Sequence, residues 1–140
     1  MACEEKEDLV ERTQPSILVI DDQPELREIL HDLLIEEGCH VSTRASHDLA
    51  EITRLAPDLI ILEVVMRDGP SGLEVIQQYR VNPRTAHVPL VICTAAVHLA
   101  AQIVPLLAER DHLVLKPFDL DDLLDAVRSG LGHASRSVAA

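Results

Sequence analysis

Five polar side chains follow short apolar runs of the sequence, at the points where predicted strands end. They are Asp21, Asp22, Glu63, Thr94 and Lys116. In an open parallel α/β sheet, ligands bind outside the carboxyl ends of the strands, so these side chains are expected to converge. Clustered carboxylates can hold a hard cation such as Mg²⁺, while a hydroxyl and an ammonium can hold phosphoryl oxygens. The set therefore predicts a phosphoryl-handling site.

The elements that position these side chains are predicted from an alternation of apolar runs with helical patterns. Such an alternation indicates βα units and a parallel sheet. Five units can be counted, and their strands are predicted at 17–20, 40–43, 59–62, 88–93 and 113–115. The predicted fold class is α/β, with a five-stranded parallel sheet and helices on both faces.

Helix boundaries follow from capping and breaking residues. The first helix is predicted to begin near Pro24 and to end at Gly38, and Ser46 is predicted to cap the second. Pro105 interrupts an Ala- and Leu-rich stretch, which predicts a short or kinked fourth helix. Asp119 is predicted to cap the last helix.

The length of 140 residues is that of one domain, predicted here at 16–132. Residues 1–15 form an expected acidic, flexible lead-in, and residues 133–140 an expected tail. The formal net charge of −12 repels phosphate backbones and anionic lipid, which argues against direct nucleic-acid or membrane binding.

The cysteines indicate a compartment. Cys3, Cys39 and Cys93 are odd in number and widely spaced, which fits neither a disulfide framework nor a thiolate metal cage. Since no stretch approaches the length of a membrane span either, a reducing cytoplasm is the expected location.

Four stretches, each closing an apolar run, together resemble the signature of response-regulator receiver domains. They are Ile17–Asp22, Asp58–Glu63, Ile92–Ala95 and Lys116–Phe118, and the resemblance covers roughly residues 16–131. It implies the flavodoxin-like (βα)5 fold called CheY-like and a place in two-component, phosphorelay signalling.

The resemblance also implies roles for single residues. Asp21 and Asp22 would organise a divalent cation together with the acceptor position, Glu63. Thr94 would bind the phosphoryl group and act as the switch, and Lys116 would pair with the acceptor or its phosphate. The bond between Lys116 and Pro117 is often cis in this family.

Two positions depart from the family pattern. Receivers carry Asp where this chain has Glu63, and the extra methylene moves the carboxylate by about one C–C bond, which an in-line attack tolerates poorly. The switch aromatic is replaced by Leu113. The loop after Met66 is also one residue longer before Gly72. Ordinary phosphorylation is therefore predicted to be weak or absent, and Mg²⁺ binding weak.

The predicted function is that of a pseudo-receiver, a non-enzymatic module that contacts a histidine kinase or phosphotransfer protein and an output protein. An alternative is a receiver that a histidine kinase still phosphorylates at Glu63. A remote alternative is a Mg²⁺-dependent phosphatase, which normally has Asp two residues after its nucleophile, where this chain has Gln23. Excess apolar residues predict a docking or dimer surface on helix four, strand five and helix five.

Simpler interpretations stay open for the same residues. Asp22 could be only a helix N-cap that forms a capping box with Glu25. Glu63 and Lys116 could form a structural ion pair in a pocket that no longer functions. Thr94 could be only the last residue of a strand.

Overall fold

One parallel sheet of five strands organises the chain. The computed structural model describes residues 14–67 and 70–139, and side chains as far as Gly132. The strands are β1 Ser16–Ile20, β2 His40–Arg44, β3 Leu59–Leu62, β4 Leu90–Thr94 and β5 His112–Leu115, in the spatial order β2-β1-β3-β4-β5. The predicted α/β fold is confirmed.

In the described part of the chain, five α-helices connect or follow the strands. They are α1 Pro24–Glu36, α2 Leu49–Leu55, α3 Gly72–Val81, α4 Ala100–Ile103 and α5 Leu120–Ala139. A 3₁₀ turn stands on each side of α4, and the second, Val104–Leu106, contains Pro105. The predicted short fourth helix is confirmed. Pro105 has no N–H to donate to a carbonyl of the preceding turn, so a regular α-helix does not continue through it.

The core lies on both faces of the sheet, since successive strand residues point to opposite sides. Ile17 and Val19 pack with residues of α1 and α5, such as Leu34. Leu18 and Ile20 pack on the other face with residues of α2, α3 and α4. The sheet is thus buried on both sides, as its continuous apolar strands predict.

The first helix ends at Glu36, two residues before the predicted Gly38, and the strand bounds predicted at 17, 43, 93 and 113 are each one residue off. Two further predicted boundaries are wrong for a physical reason. Strand β4 begins at Leu90 and not at Val88, because the Val88 amide donates to the Thr85 carbonyl at 3.0 Å and so belongs to a turn. Helix α2 is capped by Asp48 and not by Ser46, since the Asp48 carboxylate accepts from the Glu51 amide at 3.2 Å.

Flexible segments were predicted at both ends of the chain. Most of the lead-in, residues 1–13, lies outside the described residues. At the other end, α5 continues to Ala139, past His133 where the tail was predicted to start. The domain boundaries themselves stay a prediction. Among the helices of the described part, none combines the length and apolarity needed to cross a bilayer.

Candidate functional site

The carboxyl ends of four neighbouring strands place four of the predicted site residues at one edge of the sheet. Asp21 follows β1, Glu63 follows β3, Thr94 ends β4 and Lys116 follows β5. The first three are buried, with exposed fractions of 3%, 7% and 0%. These side chains reach this edge because parallel strands all run in one direction.

Lys116 joins two carboxylates that come from different strands. Its Nζ donates to Asp21 Oδ2 at 2.9 Å and to Glu63 Oε1 at 3.0 Å. Burial alone disfavours the ammonium, but hydrogen bonds and charge attraction from Asp21 and Glu63 outweigh it and raise the pKa of Lys116. The lysine is therefore held as a cation between two anions.

Both carboxylate oxygens of Glu63 accept hydrogen bonds. Oε1 accepts from Lys116, while Oε2 accepts from the Val64 amide at 2.8 Å and the Val65 amide at 3.2 Å. The side chain thus turns back over its own loop. No sequence signal identifies the two amides, since every residue except proline carries one.

The first-strand aspartates are engaged in different ways. Asp21 Oδ1 accepts from the Gln23 amide at 2.9 Å, and the Asp21 carbonyl accepts from Arg27 Nη1 at 2.6 Å. Asp22 Oδ2 accepts from the Arg67 amide at 3.0 Å and so ties the β1–α1 loop to the β3–α3 loop. The interpretation of Asp22 as a helix N-cap is wrong, because Gln23 occupies that position.

Thr94 is fully buried and its hydroxyl oxygen accepts from the Ala96 amide at 3.1 Å. Its carbonyl accepts from the Lys116 amide at 2.8 Å, which fixes the start of the loop that carries the ammonium. The Lys116–Pro117 peptide is cis. On β5, Leu113 pairs with Ile92 and packs against the core on the α4 side.

Beside the site, β4 carries a thiol. Burial raises the pKa of Cys93 to about 12; the charge of Lys116 opposes this effect, and Glu63 and Asp21 add to it. At neutral pH this thiol is uncharged, so it contributes packing and no nucleophile.

The geometry does not gather the carboxylates around a shared cation position. Within the described side chains, those of residues 14–67 and 70–132, no three His, Cys, Asp or Glu residues are grouped so that they could hold a metal ion. Both oxygens of Asp21 and both of Glu63 already accept hydrogen bonds. Carboxylates are suitable ligands for Mg²⁺, but in this arrangement Asp21 and Glu63 are bonded to the Lys116 ammonium.

Comparison with known proteins agrees with this architecture. The family model described as "Response regulator receiver domain" matches residues 17–128. The phosphate regulon transcriptional regulatory protein PhoB of Rhizobium meliloti is 32% identical over 126 residues, covering 89% of this chain and 55% of that protein. The chain spans about half the length of the first curated relatives it matches.

Solved structures give the same result. A putative response regulator from Chloroflexus aurantiacus is 27% identical with a TM-score of 0.75, covering 86% of this chain and 99% of that one. The response regulator TrrA from Thermotoga maritima, solved in complex with Mg²⁺ and BeF, is 32% identical with a TM-score of 0.71, covering 84% and 100%. The fold and the family model agree, and the chain belongs to the response regulator receiver domain family.

Proposed function

We propose that this receiver domain signals by protein contact while Glu63 serves as a permanent ligand of Lys116, so that the ordinary phosphorylation cycle does not run. One observation carries the proposal: both Glu63 oxygens are already bound, by one ammonium and two backbone amides. Charge-assisted hydrogen bonds of this kind are the stronger ones in proteins.

The bound carboxylate opposes attack on a phosphodonor. An attacking oxygen must be in line with the leaving group, and the bonds from Lys116 and the two amides fix the orientation of the Glu63 oxygens, so a change of orientation would weaken these bonds. The same donors could bind phosphoryl oxygens, so the Glu63 carboxylate occupies some of the hydrogen-bond donors that a phosphoryl group would use. It does so with one negative charge, against roughly 1.5 to 2 for a phosphoryl group.

Intact mass after incubation with Mg²⁺ and acetyl phosphate tests this proposal. The wild type is expected to show no phosphate adduct, and Glu63→Gln gives the background at other residues. An adduct on the wild type that Glu63→Gln abolishes would overturn the proposal and favour the receiver that is phosphorylated at Glu63.

Weak Mg²⁺ binding is part of the same proposal. A cation held by Asp21, Asp22 and Glu63 would have to displace Lys116 from its two carboxylates. Were Mg²⁺ bound, it would supply positive charge to neutralise phosphoryl oxygens. Support comes from the carboxylate chemistry and from the Mg²⁺ complex of the TrrA structure.

The proposed partners are a histidine kinase or phosphotransfer protein, an output protein and a second copy of the chain. The face formed by α4, β5 and α5, with the turns beside α4, exposes Val97, Val104, Leu115 and Leu120, whose exposed fractions run from 38% to 62%. Exposed apolar side chains grouped in this way are typical of contact surfaces.

Sedimentation velocity over a concentration series tests self-association. Leu115→Asp is expected to weaken it, while Val81→Asp, at an 81% exposed position of α3, leaves it unchanged. Equal sedimentation of all three proteins at every concentration would contradict the proposed homodimer.

Two further properties are proposed on related grounds. The domain is not an enzyme, because its charged groups at the sheet edge bind one another. Its location is a reducing cytoplasm, in keeping with Cys39 and Cys93, which are buried free thiols.

A further inference from the structure

A single peptide group separates the Glu63 carboxylate from the start of α3. The Val65 N–H donates to Glu63 Oε2 at 3.2 Å, and the Val64 carbonyl accepts from the Gly72 amide at 3.1 Å. These two groups belong to the same peptide unit, between Val64 and Val65, which is planar. Any rotation of that unit weakens both hydrogen bonds together.

Gly72 also contacts this peptide directly. It is buried at the first position of α3, and a Cβ placed there would overlap the Cα, Cβ and carbonyl oxygen of Val64. Because the overlap includes backbone atoms, a side chain at this position would push the loop away. Only glycine lets α3 begin in contact with the residue that follows Glu63.

The helix adds an electrostatic effect to this contact. The first N–H groups of a helix carry partial positive charge, and Gly72 directs one of them at the Val64 carbonyl. Hydrogen bonds in a chain polarise one another, so the Gly72 bond strengthens the bond from Val65 to Glu63. Helix α3 and the Glu63 carboxylate are thereby coupled through one peptide.

We infer that Gly72 is a positioning residue for the pocket: it fixes the Val64–Val65 peptide that holds Glu63, and so couples the state of Glu63 to α3. The inference rests on the proposed function in taking Glu63 as a bound ligand of this loop. A change in the pocket would then be transmitted to α3. Receivers usually have a switch aromatic on β5 for this purpose, and this chain has Leu113 at that position.

A double-mutant cycle in unfolding experiments tests the coupling. Gly72→Ala and Glu63→Gln are each expected to destabilise the protein. Together they should shift the unfolding equilibrium constant by less than the product of their separate effects, by about twofold or more. Additive effects would overturn the inference, because a glycine needed only for packing would not sense the carboxylate.

Gly130 supplies the matched control. A Cβ on this α5 glycine would lie 2.7 Å from Leu59 Cδ1, so Gly130→Ala also disturbs packing, but away from the Glu63 loop. It is expected to be additive with Glu63→Gln. Equal coupling for both glycines would assign the effect to general loss of stability and contradict the role of Gly72.

A second measurement needs no change at Gly72. In Glu63→Gln, the NMR amide resonances of Val65 and Gly72 are expected to shift, and that of Gly132, which has open space around it, to stay in place. An unmoved Gly72 resonance would overturn the inference. Neither measurement involves phosphorylation, so a failure here is distinct from a failure of the proposed function.

Discussion

Each end of the sheet has a buried cluster of acidic and basic side chains, and the two clusters differ in the ratio of acids to bases. At the amino end, the Asp111 side chain is 1% exposed, pairs with Arg80 and accepts from the amides of Leu90 at 2.8 Å and Ala108 at 2.6 Å. At the carboxyl end, one ammonium, that of Lys116, serves two carboxylates.

This difference distinguishes a cluster that stabilises the fold from a cluster that forms the candidate functional site. At the amino end, one acid pairs with one base, and the acid accepts from the amides of the first residue of β4 and of the loop before β5, so the cluster holds these elements together. At the carboxyl end, Asp21 and Glu63 leave negative charge in excess. Buried charge beyond what pairing balances is costly, and sites that break the usual rules of stability are often functional.

The largest effect is expected from breaking the amino-end pair. Asp111→Ala leaves the Arg80 guanidinium without its acid and the amides of Leu90 and Ala108 without their acceptor. We expect the free energy of unfolding to fall by about 3–5 kcal/mol, measured by urea denaturation. A loss below about 1 kcal/mol would contradict the assignment of this pair to the fold.

The carboxyl-end cluster should respond less and in a cation-dependent way. Lys116→Met leaves Asp21 and Glu63 facing each other, and we expect a loss of about 1–3 kcal/mol in urea denaturation. Added Mg²⁺ should restore part of it, because a cation can then take the place of the ammonium.

Adding Glu63→Gln supplies the control for this variant. It removes one of the two carboxylates, so the double variant should be more stable than Lys116→Met alone and should respond less to Mg²⁺. A Mg²⁺ response as large in the wild type as in Lys116→Met would contradict the competition between the two cations.

Shortening the Glu63 carboxylate should favour Mg²⁺ over the Lys116 ammonium at the carboxyl end. Glu63→Asp is expected to weaken the contact with Lys116 and to tighten Mg²⁺ binding by about fivefold, since one hydrogen bond of roughly 1 kcal/mol corresponds to that factor. Titration calorimetry against the wild type measures the change. Equal or weaker Mg²⁺ binding in the variant would show that the length of Glu63 does not limit the site.

The smallest effect is expected from a titratable group outside both clusters. Burial lowers the pKa of His47, whose Nδ1 lies 3.3 Å from the Tyr79 hydroxyl. Because the folded-state pKa lies below the ordinary value of 6.5, stability is present above about pH 6.5 and falls as the pH drops towards the folded-state value.

Urea denaturation at pH 7.5 and at pH 5 checks this sign. His47→Gln should lose less stability than the wild type over that interval, because the substituted side chain does not titrate. The same loss in both proteins would assign the acid sensitivity to carboxylates elsewhere.

The strands were predictable because their physical signal is strong. A run such as Leu59–Leu62, apolar at every position, fits a strand buried on both faces, and its observed bounds agree with prediction. Boundaries set by loop conformation were not predictable. Val88 looks like a strand residue but bonds to Thr85 in a turn, and Ser46 and Asp48 are equally good caps until the backbone selects one.

The candidate site divides in the same way. Convergence of Asp21, Glu63, Thr94 and Lys116 follows from parallel strands alone. Two hydrogen bonds depend instead on loop conformation: the Arg67 amide donates to Asp22, and the Val65 amide donates to Glu63. Backbone donors are the same at nearly every residue, so no residue type announces them.

A crystal structure grown with Mg²⁺ and beryllofluoride would show whether Glu63 stays bonded to Lys116 or accepts a phosphoryl analogue. We expect that Lys116 still bridges Asp21 and Glu63, that the Val64 and Val65 amides still donate to Glu63, and that no beryllofluoride is attached. Beryllofluoride bonded to Glu63, with Mg²⁺ beside it and Lys116 released from the carboxylate, would contradict this expectation.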